Sequence, residues 1–145
     1  MQVFVYPDPY MRRILRENRT FAVVGASPKV DRDSFLVMNY MQQAGYRMIP
    51  VNPRQVGGTI LGEEVYGCLS DIPGAFDVVD IFRSSDAVPA IIEEAITLAP
   101  EHGISTVWMQ LGVFHVDAAE RAKAAGFDVI MNRCPKLEHQ RLIAS

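Results

Sequence analysis

The chain has 145 residues, of which 49% are hydrophobic and 21% charged, as in a single soluble globular domain with a buried core. Its formal net charge of -3 at pH 7 argues against a broad cationic surface for nucleic acid. We expect neither a membrane span nor export, because no segment has the roughly 18 consecutive apolar residues of a span and residues 1–15 lack the apolar core of a secretory signal.

The two cysteines, Cys68 and Cys134, form no CxxC motif, and no histidine is spaced to complete a zinc site with them. Isolated thiols of this kind are typical of a reducing compartment. We therefore predict a cytoplasmic protein that has no metal site.

Short apolar stretches alternate with amphipathic ones along the chain, which is typical of an α/β domain. Asp8 followed by Pro9 predicts a helix cap and a first-turn proline, within a helical extension of about residues 1–19. Buried strands are predicted at residues 21–24, 48–51, 78–82, 105–109 and 127–131, which are nearly continuously apolar. The sequence thus predicts one domain, residues 1–145, with helices on both faces of a doubly wound, mostly parallel sheet of five to six strands.

Helical periodicity occupies the intervals between these strands. Apolar residues recur at i, i+3, i+4 and i+7 in two intervals and as a narrower stripe in a third, namely at Val37, Tyr40, Met41 and Ala44, at Val88, Ile91, Ile92 and Ala95, and at Ala118, Ala122 and Ala125. Gly45, Gly103 and Gly126 follow these helices, and glycine there can adopt the left-handed conformation that ends a helix.

Helix starts and two irregular segments are also predicted. Ser85 or Asp86 is expected to cap the helix after the third strand, and Asp117 with Glu120 to form a capping box. Residues 55–69 contain several glycines and are expected to be rich in turns, with one short strand. Pro50 cannot donate a ladder hydrogen bond, so its strand must tolerate a missing donor.

In an open parallel sheet, ligands bind in the crevice beyond the carboxyl ends of the strands, at the switch point. The chain has polar loops after all five predicted strands, namely Gly25-Ala26-Ser27-Pro28, Asn52-Pro53-Arg54, Arg83-Ser84-Ser85, Gln110-Leu111-Gly112 and Asn132-Arg133-Cys134. A binding site is therefore predicted among these loops.

The first loop has small residues that let a phosphate approach the backbone, and it leads toward a helix N-terminus, whose N–H groups attract anions. Gly25 is followed neither by the GxxG of a dinucleotide fingerprint nor by the GK[ST] of a P-loop. A phosphate site and a glycine needed only for a tight turn are equally supported by this loop alone.

The loop after the second strand is more informative. NAD-binding domains usually place Asp or Glu there to bind the ribose diol, whereas this chain has Asn52 beside Arg54. A carboxylate would repel a phosphorylated ribose, and a neutral side chain beside a guanidinium accommodates one, as in NADP or coenzyme A. Arg83 supplies a second guanidinium at another strand end. The alternative is a simple Asn52-Pro53 turn with Arg54 as a solvated charge.

Other polar residues have simpler structural interpretations. Asp80 lies in an apolar run, and we expect its carboxyl group to be satisfied by backbone or a nearby arginine rather than to act as a catalytic base. A thiol near an imidazole could generate a thiolate nucleophile from Cys134 and His139. A terminal helix capped near Pro135, with His139 on its exposed face, explains them better. Trp108 and five methionines are predicted core residues.

Five segments together resemble the stand-alone CoA-binding domain proteins, in the same order: Val24-Gly25-Ala26-Ser27-Pro28, Gly45-Tyr46-Arg47-Met48-Ile49-Pro50-Val51-Asn52-Pro53, Val79-Asp80-Ile81-Phe82-Arg83, Val107-Trp108-Met109-Gln110-Leu111-Gly112-Val113 and Arg133-Cys134-Pro135-Lys136. The resemblance covers about residues 21–142, nearly the whole chain. That family is similar to the CoA-binding N-terminal domain of the succinyl-CoA synthetase alpha subunit, a Rossmann-like fold. The synthetase's phosphohistidine segment has no counterpart here, so ligase chemistry is not expected from this chain alone.

The resemblance implies a role for each loop. The diphosphate would be lined by Gly25, Ala26, Ser27 and Pro28, and the adenosine 3′-phosphate flanked by Asn52, Pro53 and Arg54. The adenine and pantetheine would be bordered by Phe82, Arg83 and Ser85, and the far side closed by Gln110 and Gly112.

The resulting prediction is a non-catalytic protein that binds CoA or an acyl-CoA as a carrier, sensor or partner subunit, with a protein partner or a second copy of itself. An NADP-dependent oxidoreductase is an alternative, although nothing outside the nucleotide fold is long enough to position a substrate. A scaffold for protein association, with no nucleotide, is another. Fold alone does not decide among them.

Overall fold

A computed structural model describes residues 5–144, so residues 1–4 of the predicted extension and residue 145 lie outside the described residues. The helices are α1 (Asp8–Glu17), α2 (Asp33–Gln43), α3 (Val88–His102), α4 (Val116–Ala124) and α5 (Pro135–Leu142). The strands are β1 (Thr20–Val24), β2 (Arg47–Val51), β3 (Thr59–Ile60), β4 (Glu63–Glu64), β5 (Val78–Ile81), β6 (Thr106–Met109) and β7 (Asp128–Ile130). Short 3-10 turns span Pro53–Gln55, Leu69–Asp71 and Ser85–Ala87.

The main sheet has five parallel strands in the order β2-β1-β5-β6-β7. The chain moves outward from β1 to β2, returns to the other side of β1 at β5, and then continues outward to β7. The predicted doubly wound, Rossmann-like α/β fold is therefore confirmed. Its switch point lies between β1 and β5, where Val24 pairs with Ile81.

Apolar side chains fill both faces of this sheet, as the nearly continuous apolar strands predict. On one face, Val79, Ile81 and Val107 pack with Ile92 of α3 and Ala119 of α4. On the other face, the core contains residues of β1, β6, α1 and α2, including Phe21, Trp108, Ile14 and Met38, together with Cys134 directly before α5. Trp108 and the methionines of the strands and helices are buried, as predicted.

The ends of the predicted helices are confirmed, but their caps are not. Gly45, Gly103 and Gly126 all have positive φ angles at helix C-termini, as predicted. At the start of α4, the expected Asp117–Glu120 capping box is wrong. The cap is His115, where the chain is extended and the imidazole Nδ1 accepts a hydrogen bond from the Ala118 N–H at 3.1 Å.

The expected caps of α1 and α3 are also wrong. Asp8 is the first residue of α1 and places its charge in the first turn, because extended Pro7 occupies the cap position. Ser85 and Asp86 lie in the 3-10 turn before α3, whose cap position is Ala87 and carries no side-chain hydrogen bond. The Ser85 hydroxyl instead accepts a hydrogen bond from the Phe114 N–H, so it serves a long-range contact.

The turn-rich segment after β2 forms a hairpin rather than one short strand. β3 and β4 pair antiparallel through a turn at Leu61 and Gly62, both at positive φ, as in a type I′ turn. The returning chain reaches β2, where the Tyr66 N–H donates to the Pro50 carbonyl at 3.0 Å. Pro50 therefore directs its hydrogen-bonding side away from β1, so its missing N–H costs no bond within the main sheet.

No helix among the described residues is both long and apolar enough to cross a membrane.

Candidate functional site

A cavity of about 570 Å³ lies at the carboxyl ends of β1, β2 and β5, at the switch point. Its volume is in the range of small-molecule sites. The opposite wall is formed by the segment that leads from the hairpin into the Leu69–Asp71 turn and by α3. Six residues predicted from the sequence line the cavity, namely Gly25, Asn52, Pro53, Arg54, Phe82 and Arg83.

Gly25 allows two parts of the site to approach each other closely. Its φ is +92°, and its N–H donates to the Val51 carbonyl at 2.9 Å, which ties the end of β1 to β2. A Cβ atom here would lie 2.6 Å from the Phe82 carbonyl oxygen and 3.1 Å from Cδ of Arg83. The aliphatic part of Arg83 thus packs over the Gly25 turn, which only glycine permits.

Asn52 connects the loops after β1 and β2. Its Nδ2 donates to the Ala26 carbonyl, and its Oδ1 accepts from the Arg54 N–H, both at 2.9 Å. Asn52 is therefore the side-chain cap of the Pro53–Gln55 turn that carries Arg54. The Asn52-Pro53 turn is therefore present, and it holds the backbone of Arg54 at the edge of the cavity.

Arg54 and Arg83 give the strand-end wall of the cavity its positive charge. Both side chains are exposed, and among the described residues neither has a carboxylate in salt-bridge range. Arg121 and Arg141, by contrast, pair with carboxylates elsewhere on the surface. An unneutralised pair of guanidiniums suits a phosphorylated ligand.

The remainder of the first loop does not line the cavity. Ala26 is buried, the Ser27 N–H donates to Ser34 Oγ, and the Ser27 hydroxyl accepts from the Lys29 N–H. The helix that follows, α2, begins only at Asp33, whose charge opposes an anion in the first turn. The structure thus brings Gly25 into the cavity but not Ala26, Ser27 or Pro28.

Ser85, Gln110 and Gly112 lie farther along the sheet edge, near the end of β6, and do not line the cavity. The Gly112 N–H donates to Asn132 Oδ1 at 2.7 Å. Gln110 is buried, and its Oε1 has no hydrogen-bond partner among the described residues.

Seven residues that line the cavity were not predicted as site residues, namely Val24, Val51, Gly67, Cys68, Leu69, Ile91 and Glu94. The Leu69 N–H donates to Glu94 Oε1 at 3.1 Å, which joins the turn to α3. Glu94 directly precedes Ala95 of the predicted apolar stripe, so a carboxylate beside this stripe was the one available signal. No sequence signal pointed to Cys68 or Leu69, because only the hairpin brings them back to the sheet.

Asp80 lies in the central strand of the sheet and does not line the cavity. It is 0% exposed, and neither carboxyl oxygen has a hydrogen-bond partner among the described residues, so the expected backbone or arginine partner is wrong. Desolvation raises the pKa of Asp80 well above its ordinary value. Its neighbours in register are Val23 and Trp108, on the sheet face opposite to Ile81.

Cys134 and His139 are both in the core, so the expected exposed position of His139 is wrong. His139 is 7% exposed because it packs between the rings of Tyr40 and Tyr46, and its Nδ1 lies 2.9 Å from the Tyr40 hydroxyl. Burial, with a smaller effect of Arg19, lowers the pKa of His139. The imidazole is thus engaged by tyrosine and not by the thiol.

The fold and the cavity together define a Rossmann-like α/β domain with a cationic cavity at its switch point. A sequence model of the family described as "CoA binding domain" matches residues 19–140. The chain belongs to this family, which confirms the resemblance seen in the five segments.

Relatives of similar length share sequence with this chain, and two of them, whose structures are solved, also share its fold. The chain is 36% identical to the Bacillus subtilis protein YneT over 129 residues, which are 89% of this chain and 91% of YneT. A hypothetical protein from Pyrococcus horikoshii is 34% identical, with a TM-score of 0.87 over 99% of each chain. A Thermus thermophilus protein is also 34% identical, with a TM-score of 0.88 over 95% of this chain and all (100%) of that one.

A more distant likeness concerns the fold alone. A dinucleotide-forming acetyl-coenzyme A synthetase from Korarchaeum cryptofilum has a TM-score of 0.66 and 22% identity. The match covers 81% of this chain and 26% of the synthetase.

Proposed function

We propose that this protein binds coenzyme A or an acyl-CoA in the switch-point cavity, as a non-catalytic carrier, sensor or partner subunit in the cytoplasm. The observation that carries the proposal is the pair of guanidiniums, Arg54 and Arg83, which line the cavity without a carboxylate partner among the described residues. Asn52 stands where an NAD-binding domain has an acid. Membership of the CoA-binding domain family supports the same ligand.

The geometry suggests how the ligand is divided among the loops. The Arg54 guanidinium would bind the 3′-phosphate, because Asn52 caps the turn that holds it. The diphosphate would lie against the Gly25 turn, under Arg83. Pantetheine would continue along the sheet edge toward Gln110 and Gly112. It would pass the loop after β1, with Ala26, Ser27 and Pro28, and the loop after β5, with Ser85.

A partner is part of the proposal. The fold neighbour named as an acetyl-coenzyme A synthetase is much longer than the region that matches. We propose that this domain presents its CoA to another protein, or to a second copy of itself, which supplies the reacting groups.

Isothermal titration calorimetry with CoA, dephospho-CoA, NADP and NAD tests the proposed ligand. We expect the tightest binding for CoA and clearly weaker binding for dephospho-CoA, which lacks only the 3′-phosphate. Equal affinity for these two ligands would refute the role of the arginines. Tighter NADP binding would favour an oxidoreductase, and no heat with any ligand would favour a scaffold.

Arg54→Ala should weaken CoA binding by about 1 to 3 kcal/mol and leave dephospho-CoA binding nearly unchanged, because the lost bond is charge-assisted and specific to the 3′-phosphate. Arg16→Ala is the matched control, since Arg16 is an exposed cation in the last turn of α1, which leads into the amino end of β1, whereas the cavity lies at the carboxyl ends of the strands. A similar loss of CoA affinity in both variants would point to general charge attraction instead of a specific bond.

A further inference from the structure

We propose, resting on the proposed function, that Glu94 determines the base specificity of the cavity by accepting a hydrogen bond from the exocyclic amine of adenine. The cavity would then bind purine nucleotides with a 6-amino group more tightly than those with a 6-oxo group. Glu94 lines the cavity and is not one of the site residues predicted from the sequence.

The two walls of the cavity have opposite charge. The strand-end wall carries Arg54 and Arg83, and the opposite wall carries Glu94 on α3. Glu94 is partly buried and fixed, because its Oε1 accepts the Leu69 N–H at 3.1 Å. Among the described residues, no hydrogen bond to Oε2 is formed, so this oxygen can accept one from a ligand.

A fixed carboxylate repels phosphate, so the wall with Glu94 must face an uncharged part of the ligand. CoA has two such parts, adenine and pantetheine. Adenine and the 3′-phosphate are substituents of the same ribose, so a phosphate held by Arg54 keeps the base within the same cavity. Pantetheine leaves from the diphosphate, on the other side of the ribose. The wall therefore faces adenine.

The remaining side chains of the cavity suit a flat aromatic base. Val51, Leu69 and Ile91 line it with apolar surface. A purine placed between such groups needs a polar partner only at its edge, and an amine donating to a carboxylate is a charge-assisted bond. A 6-oxo group would place its lone pairs against the Glu94 oxygens instead.

The test compares adenosine 3′,5′-bisphosphate with inosine 3′,5′-bisphosphate by calorimetry on the wild-type protein and on Glu94→Gln. Glutamine keeps an oxygen that can accept the Leu69 N–H, so the fold is expected to persist. Wild type should bind adenosine 3′,5′-bisphosphate at least tenfold more tightly than inosine 3′,5′-bisphosphate. In the variant this ratio should fall to about one or invert, because the glutamine amide can donate to a 6-oxo group.

The ratio of the two affinities is the decisive quantity, because both ligands carry the same phosphates and the loss of a negative charge affects them equally. Glu93→Gln is the matched control: it is the neighbouring carboxylate, exposed and paired with Arg121, and should leave the ratio unchanged. An equal affinity of wild type for both ligands, or an unchanged ratio in Glu94→Gln, would overturn the assignment while leaving CoA binding intact. If wild type binds neither bisphosphate nor CoA, the proposed function fails and the base assignment with it.

Discussion

Asn52 determines both the shape and the charge of the cavity. An aspartate at this position could still accept the Arg54 N–H but could not donate to the Ala26 carbonyl, and it would add a negative charge beside the proposed 3′-phosphate. We expect Asn52→Asp to lower CoA affinity by about tenfold or more, with a smaller effect on dephospho-CoA. Calorimetry measures both.

Asn39→Asp on α2 adds the same charge outside the cavity and should change neither affinity. If Asn52→Asp binds CoA as tightly as wild type, the absence of an acid at this position has no part in ligand choice.

Position 25 requires glycine both for its positive φ angle and for the close approach of neighbouring atoms. A comparison with Gly57 distinguishes these two effects. Both glycines have φ +92°, but a Cβ atom at Gly57 would meet nothing within 4 Å. Gly57→Ala should lose about 1 kcal/mol of stability from backbone strain alone. Gly25→Ala should lose roughly 1 to 3 kcal/mol more, because its Cβ overlaps the Phe82 carbonyl.

Urea unfolding followed by circular dichroism measures this difference. Equal losses in the two variants would show that the end of β5 can move away from the Gly25 turn at no cost.

Among the elements, the central strand β5 carries a buried acid that should make stability depend on pH. Because burial raises the pKa of Asp80 above its ordinary 3.8, the native state keeps a proton that the unfolded chain releases. The stability contributed is complete below about pH 4 and is lost as the pH rises toward the native pKa. Asp80→Asn should therefore be more stable than wild type at pH 8, by a margin that grows with pH.

Free energies of unfolding from pH 5 to 9 would show this effect. Parallel profiles of wild type and Asp80→Asn would mean that the carboxyl group acquires a partner that the described contacts do not include.

The terminal helix α5 should respond to pH in the opposite direction. Burial of His139 against Tyr40 lowers its pKa below 6.5, so the unfolded chain binds a proton that the native state resists. The contribution of neutral His139 to the free energy of unfolding is present above about pH 6.5 and is lost as the pH falls below that value. His139→Gln can still bond Tyr40 but does not titrate, so its stability should fall less between pH 7 and pH 5. An equal fall in both proteins, measured by urea unfolding, would contradict the burial of a neutral imidazole.

At the scale of the whole molecule, the sequence predicted the sheet because each strand covered on both faces needs a nearly continuous apolar run. The switch-point loops follow from that topology, which is why Gly25, Arg54 and Arg83 could be placed at one edge. Membership of the family was recognised from the same loops.

The remainder depended on contacts between residues far apart in sequence. The Ser85 hydroxyl does not cap α3 but accepts a hydrogen bond from the Phe114 N–H, which lies on a different loop. Glu94 and Leu69 meet only because the β3–β4 hairpin returns the chain to the sheet. Asp80 gave no sign that it lacks a partner, since a polar group in an apolar strand usually has one.

The contact of Tyr66 with β2 has a consequence for association. An outer strand with free peptide groups invites a further strand, and exposed edges of this kind lead to β-augmentation or aggregation. Here the Tyr66 segment already occupies the Pro50 carbonyl and the Asn52 N–H. A binding protein that used this border of the sheet would have to displace the segment that leads to Leu69, and with it one wall of the cavity. Strand addition at β2 and the proposed binding of CoA would therefore exclude each other.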